Sequence, residues 1–280
     1  MGKLKQILPL LCLLAPFATA EEESVGADLQ FVSDVSAIQP GVPFTIALHI
    51  HHHQGFHTYW KAPGIVGVPT SIAWKLPAGF QAGPIQWPAP KVVDMATHPA
   101  HGYHRDVLLL VEVIPPREIT APSVNFVGDL TWMACSRTCN PGFAQRRLSL
   151  PVNRTPEPKP DSKWARMIAR ERADLPGPCG SWSLTVESRI DQSPVRIRLR
   201  PLKGAGQPGD IYFFSEDGQI TSEPAQTARL MEDGSYLIEG TRSEWGPEKQ
   251  NTLPGTLVAS GSWLTGKQLR AFRAEPRYSK

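Results

Sequence analysis

Glycine and proline recur in short pairs along the whole chain, and no other feature limits the possible folds so strongly. The 280 residues include 23 glycines and 28 prolines, against average shares of roughly 7% and 5%. Because the two residue types are scattered and do not form one tract, they indicate many turns that join short strands. This distribution excludes an all-α bundle and predicts an all-β fold.

The overall composition suits a pair of ordinary globular domains. Apolar residues make up 41% of the chain and charged residues 20%, which leaves enough apolar material for more than one core. The formal net charge is only +3, and the sequence contains no run of Lys and Arg and no basic stripe interleaved with aromatic residues. Nucleic acid is therefore not an expected partner.

The first twenty residues have the order of a secretory signal peptide, with a basic start, an apolar stretch and a small-x-small cleavage site at 18–20. Lipid attachment at Cys12 is not expected, because Leu11 stands where a small residue is needed. The apolar run of about 14 residues is shorter than the ~20 that cross a bilayer, and no later uncharged run is longer. We therefore predict a periplasmic protein that begins near Glu21 and has no membrane span after cleavage.

Between residues 25 and 152 the sequence alternates between strand patterns and Pro/Gly turns. One run places apolar residues at every second position, with polar or small residues between them: Phe44, Ile46, Leu48 and Ile50. A period of two predicts a strand with one buried face. Similar runs at 71–76, 107–113, 124–132 and 145–152 predict an antiparallel β-sandwich.

The segment 151–163 contains four prolines and almost no apolar residue, and it predicts an extended linker. Ser162 is a candidate cap for a short helix that ends near Ala173, before a Leu-Pro-Gly sequence. Strand patterns then return, including a hairpin over 228–240 that turns at Asp233-Gly234. The predicted organisation is a signal peptide (1–20), a β-sandwich that carries a cysteine pair (21–153), a Pro-rich linker with a short helix (154–175) and a second, smaller β-domain (176–280).

The mature chain has three cysteines, Cys135, Cys139 and Cys179, in a compartment where disulfides persist. An extended strand would hold the Cα atoms of Cys135 and Cys139 about 13 Å apart, so the chain must turn for them to bridge. Asn140-Pro141-Gly142 predicts a second turn directly after them. A bridge over so few residues adds little stability, and Arg137 between the sulfurs favours a thiolate. The spacing favours a redox pair over an inert clip, and Cys179 is expected to be free.

Five segments resemble the N-terminal periplasmic domain of the thiol:disulfide interchange protein DsbD, especially its ScsB-like relatives. They are 55–64 (GFHTYWKAPG), 67–70 (GVPT), 74–80 (WKLPAGF), 83–88 (GPIQWP) and the cysteine segment through Pro141-Gly142. The resemblance covers about 25–153. More loosely, 211–218 (IYFFSEDG) is similar to an extra β-domain in larger family members.

The resemblance implies an immunoglobulin-like sandwich that takes electrons from a membrane-embedded donor and passes them to thioredoxin-like periplasmic proteins, as in cytochrome c biogenesis. It implies a thiol:disulfide oxidoreductase that needs no cofactor, with Cys135 and Cys139 as the redox pair and His57 and Tyr59 as its aromatic neighbours. Complete members continue into a membrane domain and a thioredoxin-like domain, so the donor is expected to be a separate protein here. The phenylalanine expected near 100–103 is missing, which makes Tyr103 or His101 the candidate shield of the disulfide.

The competing hypothesis is a metal site. His49, His51 and His53 share one face of the predicted strand and could bind copper or zinc, alone or with the cysteine thiolates. A solvated strand face with incidental imidazoles is the alternative interpretation. Copper chaperones of the Sco type also carry C-x3-C, but on a thioredoxin fold whose βαβ pattern is lacking here. A third possibility is a non-catalytic adaptor, since tandem β-sandwiches often only bind other proteins.

Overall fold

A computed structural model describes residues 25–155, 162–247 and 250–279. The predicted signal peptide (1–20) with Cys12, and residues 156–161 of the Pro-rich linker, lie outside these residues. No helix in the described part of the chain is long and apolar enough to cross a membrane.

The N-terminal region (25–155) consists of ten strands in antiparallel sheets. In chain order they are β1 (Ala27–Ser33), β2 (Phe44–His52), β3 (Thr58–Gly64), β4 (Ser71–Lys75), β5 (Gln81–Ala82), β6 (Lys91–Met95), β7 (His98–Tyr103), β8 (Val107–Ile114), β9 (Ser123–Cys135) and β10 (Cys139–Pro151). Hydrogen bonds join them in the orders β1-β2-β8-β5, β10-β9-β4 and β3-β7-β6. Long apolar side chains from the first two of these sheets meet in one core that includes Leu48, Leu109 and Phe126.

The predicted helix exists, and its contacts change the interpretation of strand β2. Helix α1 spans Lys163–Asp174, and the Ser162 hydroxyl caps it by accepting from the backbone N–H of Ala165. Ile168 of the helix packs on the outer face of the β1-β2-β8 sheet, against Ala47 and its neighbours. The prediction of a half-buried strand is therefore wrong, because the helix covers the face that the sequence pattern left to solvent.

The C-terminal region (176–279) forms a second pair of antiparallel sheets. Its strands are β11 (Trp182–Val186), β12 (Val195–Pro201), β13 (Ile211–Ser215), β14 (Thr227–Leu230), β15 (Tyr236–Gly240), β16 (Gly255–Ala259) and β17 (Ala271–Ala274), in the orders β11-β12-β15-β14 and β13-β16-β17. They enclose a separate core that includes Trp182, Phe213 and Trp263. The predicted hairpin turns at Asp233-Gly234, where Gly234 has a positive φ of 76°. The predicted all-β fold is confirmed.

The two regions share apolar contacts. Phe214 of β13 belongs to the N-terminal core and lies edge-on to Trp60, with 6.0 Å between ring centroids. Beside it, the Lys61 ammonium lies 2.8 Å from the Glu216 carboxylate, whose side chain is only 6% exposed. The C-terminal region is therefore packed against strand β3 and is not merely tethered by the linker.

Candidate functional site

The cysteine pair closes the hairpin between β9 and β10. The two thirteen-residue strands pair without interruption from Ser123 opposite Pro151 to Cys135 opposite Cys139. A three-residue turn at 136–138 joins them, and this brings the two cysteine Cα atoms to 4.3 Å with a disulfide between the sulfurs. The predicted turn and the predicted pairing are confirmed, and Cys179 forms no disulfide.

A second turn, predicted at Asn140-Pro141-Gly142, is wrong. These residues continue strand β10, in which Gly142 lies opposite Trp132. A Cβ atom at Gly142 would collide with the indole ring, so the glycine is needed for close packing. Pro141 is tolerated because β10 is the edge strand of its sheet and needs no outward N–H donor.

The two sulfurs of the cystine have very different surroundings. Cys135 is 0% exposed, whereas Cys139 lies at the surface. Arg137, in the turn between them, is also exposed. Thiol–disulfide exchange requires a thiolate to approach one sulfur along the axis of the S–S bond. A thiolate from another protein therefore has access to Cys139 and not to Cys135.

His57 and Tyr59, expected from the sequence to be neighbours of the cystine, lie against it. The backbone of His57 pairs with Cys135 in both directions, with N···O distances of 2.9 and 3.0 Å. The Tyr59 hydroxyl lies 3.9 Å from the Cys139 sulfur. The two rings meet edge to face, with centroids 5.2 Å apart.

Burial controls the charge of both side chains. It raises the pKa of Tyr59 to about 12, so the hydroxyl keeps its proton and can donate it to the sulfur. Burial also lowers the pKa of His57, an effect that the Asp94 carboxylate partly opposes. His57 is therefore neutral at pH 7, and its Nε2 atom has no hydrogen-bond partner within the described residues.

The cystine also has apolar neighbours that the sequence analysis missed. Val66 and Met95 pack on a buried cluster that contains Cys135 and Tyr59, and Met133 joins them from β9. Val66 belongs to the loop 64–70, which we call the strap, and Met95 lies at the end of β6. In the strap, Gly67 has a positive φ of 105°, and a Cβ atom there would collide with the Tyr59 ring. These residues come from loop and strand ends, where no periodic pattern identifies them.

The two candidate shields of the disulfide lie elsewhere, so that expectation is corrected. Tyr103 is buried in the main core and donates its hydroxyl to the Pro88 carbonyl at 2.8 Å. The His101 ring bridges the Ala62 carbonyl and the Tyr212 hydroxyl, each at 3.1 Å. Both side chains are thus engaged in hydrogen bonds away from the cystine, and Met95 and Val66 pack against the cluster that contains Cys135.

The histidines of the competing metal hypothesis divide between two carboxylates. His49 and His51 contact the two oxygens of Asp106 at 3.1 and 2.7 Å, while His53 contacts Asp28 at 3.2 Å. His49 is only 7% exposed, because Trp164 of helix α1 covers it, so the solvated-face interpretation is wrong for this residue. Within the described residues, no group of three His, Cys, Asp or Glu side chains is arranged to hold a metal ion.

Comparison with known proteins matches the N-terminal region to one family. Residues 27–151 match the model of the N-terminal domain of the thiol:disulfide interchange protein DsbD, which confirms the resemblance over this segment. The search of curated proteins found no significant match.

One solved structure shows a similar fold over nearly the whole chain. The N-terminal periplasmic domain of ScsB from Proteus mirabilis superposes with a TM-score of 0.63 and 20% identity, covering 92% of this chain and 96% of that chain. Two pilins are far less similar. They are BcpA of Bacillus cereus (TM-score 0.28, 8% identity, 91% and 67% coverage) and SpaD of Corynebacterium diphtheriae (TM-score 0.29, 11% identity, 88% and 60% coverage).

Proposed function

We propose that this chain, whose residues 27–151 match the N-terminal domain of DsbD, is a periplasmic thiol:disulfide interchange module that passes electrons to partner proteins through Cys135 and Cys139. The observation that carries the proposal is the asymmetry of the cystine, with Cys139 an exposed residue and Cys135 a fully buried one. A structural clip needs no such asymmetry, whereas stepwise exchange does.

In the reduced protein, the Cys139 thiolate attacks the disulfide of an oxidised partner. One S–S bond forms between Cys139 and the partner, and the second partner sulfur leaves as a thiolate. The Cys135 thiolate then attacks the Cys139 sulfur, forms the intramolecular disulfide and releases the first partner sulfur. Two electrons pass to the partner, and its two thiolates take up the two protons that the cysteine pair lost.

Tyr59 and His57 support this exchange without exchanging electrons themselves. The neutral Tyr59 hydroxyl faces the Cys139 sulfur, and its O–H donor stabilises negative charge on that sulfur when the disulfide opens. His57 is neutral, and its Nε2 has no hydrogen-bond partner within the described residues, so it places no positive charge beside the buried end of the pair.

The partners proposed on these grounds are thioredoxin-like periplasmic proteins that accept electrons and a membrane-embedded donor that supplies them. Both would meet Cys139, because exchange in either direction uses the accessible sulfur. Export by cleavage of residues 1–20 would place the module in their compartment.

The test is to trap the mixed disulfide in cells that export the protein. Cys135→Ala leaves Cys139 without its resolving thiol, so we expect reducible complexes with thioredoxin-like proteins. We expect far fewer from Cys139→Ala and none above background from Cys179→Ala, which serves as the matched control. If neither site variant traps a partner, and the pair resists reduction even below roughly −300 mV, where structural disulfides lie, the bond is a structural clip and the proposal fails.

A further inference from the structure

We infer that the C-terminal region positions the side chains that pack around the cystine, Tyr59, Val66 and Met95, which we call its cover. Ser222 is the positioning residue, because it binds both the strap and the β6–β7 hairpin. This inference rests on the proposed function, because it explains how quickly a thiolate reaches the disulfide. It assigns a role to a region that contributes no cysteine to the exchange.

Ser222 joins two elements of the N-terminal region across the interface. Its side chain is buried, with 1% of the residue exposed. The hydroxyl accepts from the backbone N–H of Ile65 at 3.2 Å and donates to the Pro99 carbonyl at 2.6 Å. Gly64 has a positive φ of 94°, and a Cβ atom there would collide with the serine side chain.

The strap connects Ser222 with the cystine, because it contacts Ser222 at one end and Tyr59 at the other. Its first residues are held by the serine, and its later residues hold Tyr59 through the close approach of Gly67 and a backbone bridge to Pro69. Tyr59 in turn contacts the Cys139 sulfur. A shift of the strap therefore changes what covers the exposed end of the disulfide.

The β6–β7 hairpin provides the second route from the C-terminal region to the cystine. Pro99, bound by Ser222, lies next to His98, which pairs with Met95 across the hairpin. Met95 packs in the cluster around Cys135. The Glu223 carboxylate contacts the His98 ring at 2.7 Å, so two consecutive residues of the C-terminal region hold this hairpin near its tip.

The segment that carries Ser222 is itself anchored. The Thr221 N–H donates to the Thr241 carbonyl at 3.0 Å, and Ile220 forms a backbone bridge with Arg242. The contacts of Phe214 and Glu216 with strand β3 hold the whole region in place. Ser222 is therefore anchored within its own region, and its two hydrogen bonds hold the strap and the hairpin against that region.

The first test measures how fast dithiothreitol reduces the oxidised protein, which requires no partner. Ser222→Ala leaves the Ile65 N–H and the Pro99 carbonyl without their shared partner, so the cover opens more often. We expect reduction about five- to tenfold faster than in the wild type, with a similar increase in amide hydrogen exchange over 64–70. Ser235→Ala is the matched control, because Ser235 is an equally buried serine whose hydroxyl contacts Arg198 and Asp233, away from the strap.

Gly64→Ala disturbs the same contact from the strap's side and leaves the C-terminal region unchanged. We expect it to accelerate reduction as Ser222→Ala does, and it keeps the test valid if the serine variant folds poorly. Equal reduction rates in the wild type, Ser222→Ala, Gly64→Ala and Ser235→Ala would overturn the inference. Partner trapping by Cys135→Ala is scored separately, so failure of the exchange function and failure of the positioning role give different results.

Discussion

The two β-regions of this protein are built alike, yet they differ in how completely their buried polar groups are paired. In the C-terminal region the buried side chains of Ser215, Gln219 and Ser235 are all hydrogen-bonded. Five buried side-chain atoms without a partner occur among the described residues, and four are in the N-terminal region: His57 Nε2, Trp60 Nε1, Thr70 Oγ1 and Trp132 Nε1. Unpaired buried groups are costly and concentrate where function requires them.

This difference indicates a division of labour. We therefore expect the C-terminal region to act as a support, and the N-terminal region to carry the less stable arrangement, which includes His57 beside the cystine. Three measurements would sharpen or break this comparison, and they are given in order of expected effect.

The largest effect is expected from the C-terminal core. Trp263→Ala removes a fully buried indole that packs against Trp182 and Phe272, and it should lower the free energy of unfolding by about 3–5 kcal/mol. Trp245→Ala is the control, because that indole is 92% exposed, and its effect should stay within about 0.5 kcal/mol. Urea unfolding measures both. Similar small losses in both variants would mean that this core does not support the molecule.

An intermediate effect is expected from acid, and it should be confined to the N-terminal region. All eight histidines lie between residues 49 and 104. Burial lowers the pKa of His52 to about 4, and burial lowers the pKa of His101 to about 4. Both nitrogens of each ring are already engaged: His52 with Arg105 and Thr58, and His101 with Ala62 and Tyr212. Protonation would therefore break an accepted hydrogen bond in each case.

The direction of this effect follows from the lowered values. His52 and His101 bind protons near pH 6.5 in the unfolded chain but only near pH 4 in the folded protein. Their contribution to the free energy of unfolding is therefore fully present above pH 6.5 and is lost as the pH falls towards 4. At pH 5 each of these two histidines should lower the free energy of unfolding by about 2 kcal/mol relative to its value above pH 6.5. In His101→Gln, the drop in the free energy of unfolding between pH 7 and pH 5, measured by urea unfolding, should be smaller than in the wild type by about that amount. The surface substitution His98→Gln should leave the drop unchanged. Equal acid sensitivity of amide exchange in both regions would contradict the comparison.

The smallest effect is expected from the cystine itself. Opening a disulfide that closes so short a loop should lower the free energy of unfolding by only about 2 kcal/mol. Urea unfolding of the oxidised and the dithiothreitol-reduced protein measures this directly, and Cys179→Ala excludes a contribution from the third thiol. A loss well above that of Trp263→Ala would make the bond a structural staple and remove the division of labour.

Local sequence patterns predicted the features that depend on neighbouring residues. The Ser162 cap, the Asp233-Gly234 turn and the Cys135–Cys139 bridge each depend on a few consecutive positions. The predictions that failed depended on distant contacts. Asn140-Pro141-Gly142 has a turn-like sequence, but it stays in strand β10, where Trp132 packs on Gly142. Helix α1 covers the face of β2 that the alternation of apolar and polar residues had left to solvent.

The same reason limits what could be predicted of the site. His57 and Tyr59 were found because a family resemblance identified them. Val66 and Met95 reach the cystine from two separate loop and strand ends, and their approach depends on the tertiary fold. The Ser222 contact joins residues more than 150 positions apart, and no periodicity encodes such a distance.

The backbone of Cys135 is held from both sides, by Cys139 across the hairpin and by His57, the residue before strand β3. These backbone hydrogen bonds do not depend on the disulfide, so we expect this part of strand β9 to keep its position when the disulfide opens and the change to concentrate in the turn at 136–138 and at Cys139. If the proposed exchange takes place, a partner would distinguish the oxidised from the reduced protein at this turn. Arg137 is exposed there, and it is the residue we expect such a partner to contact.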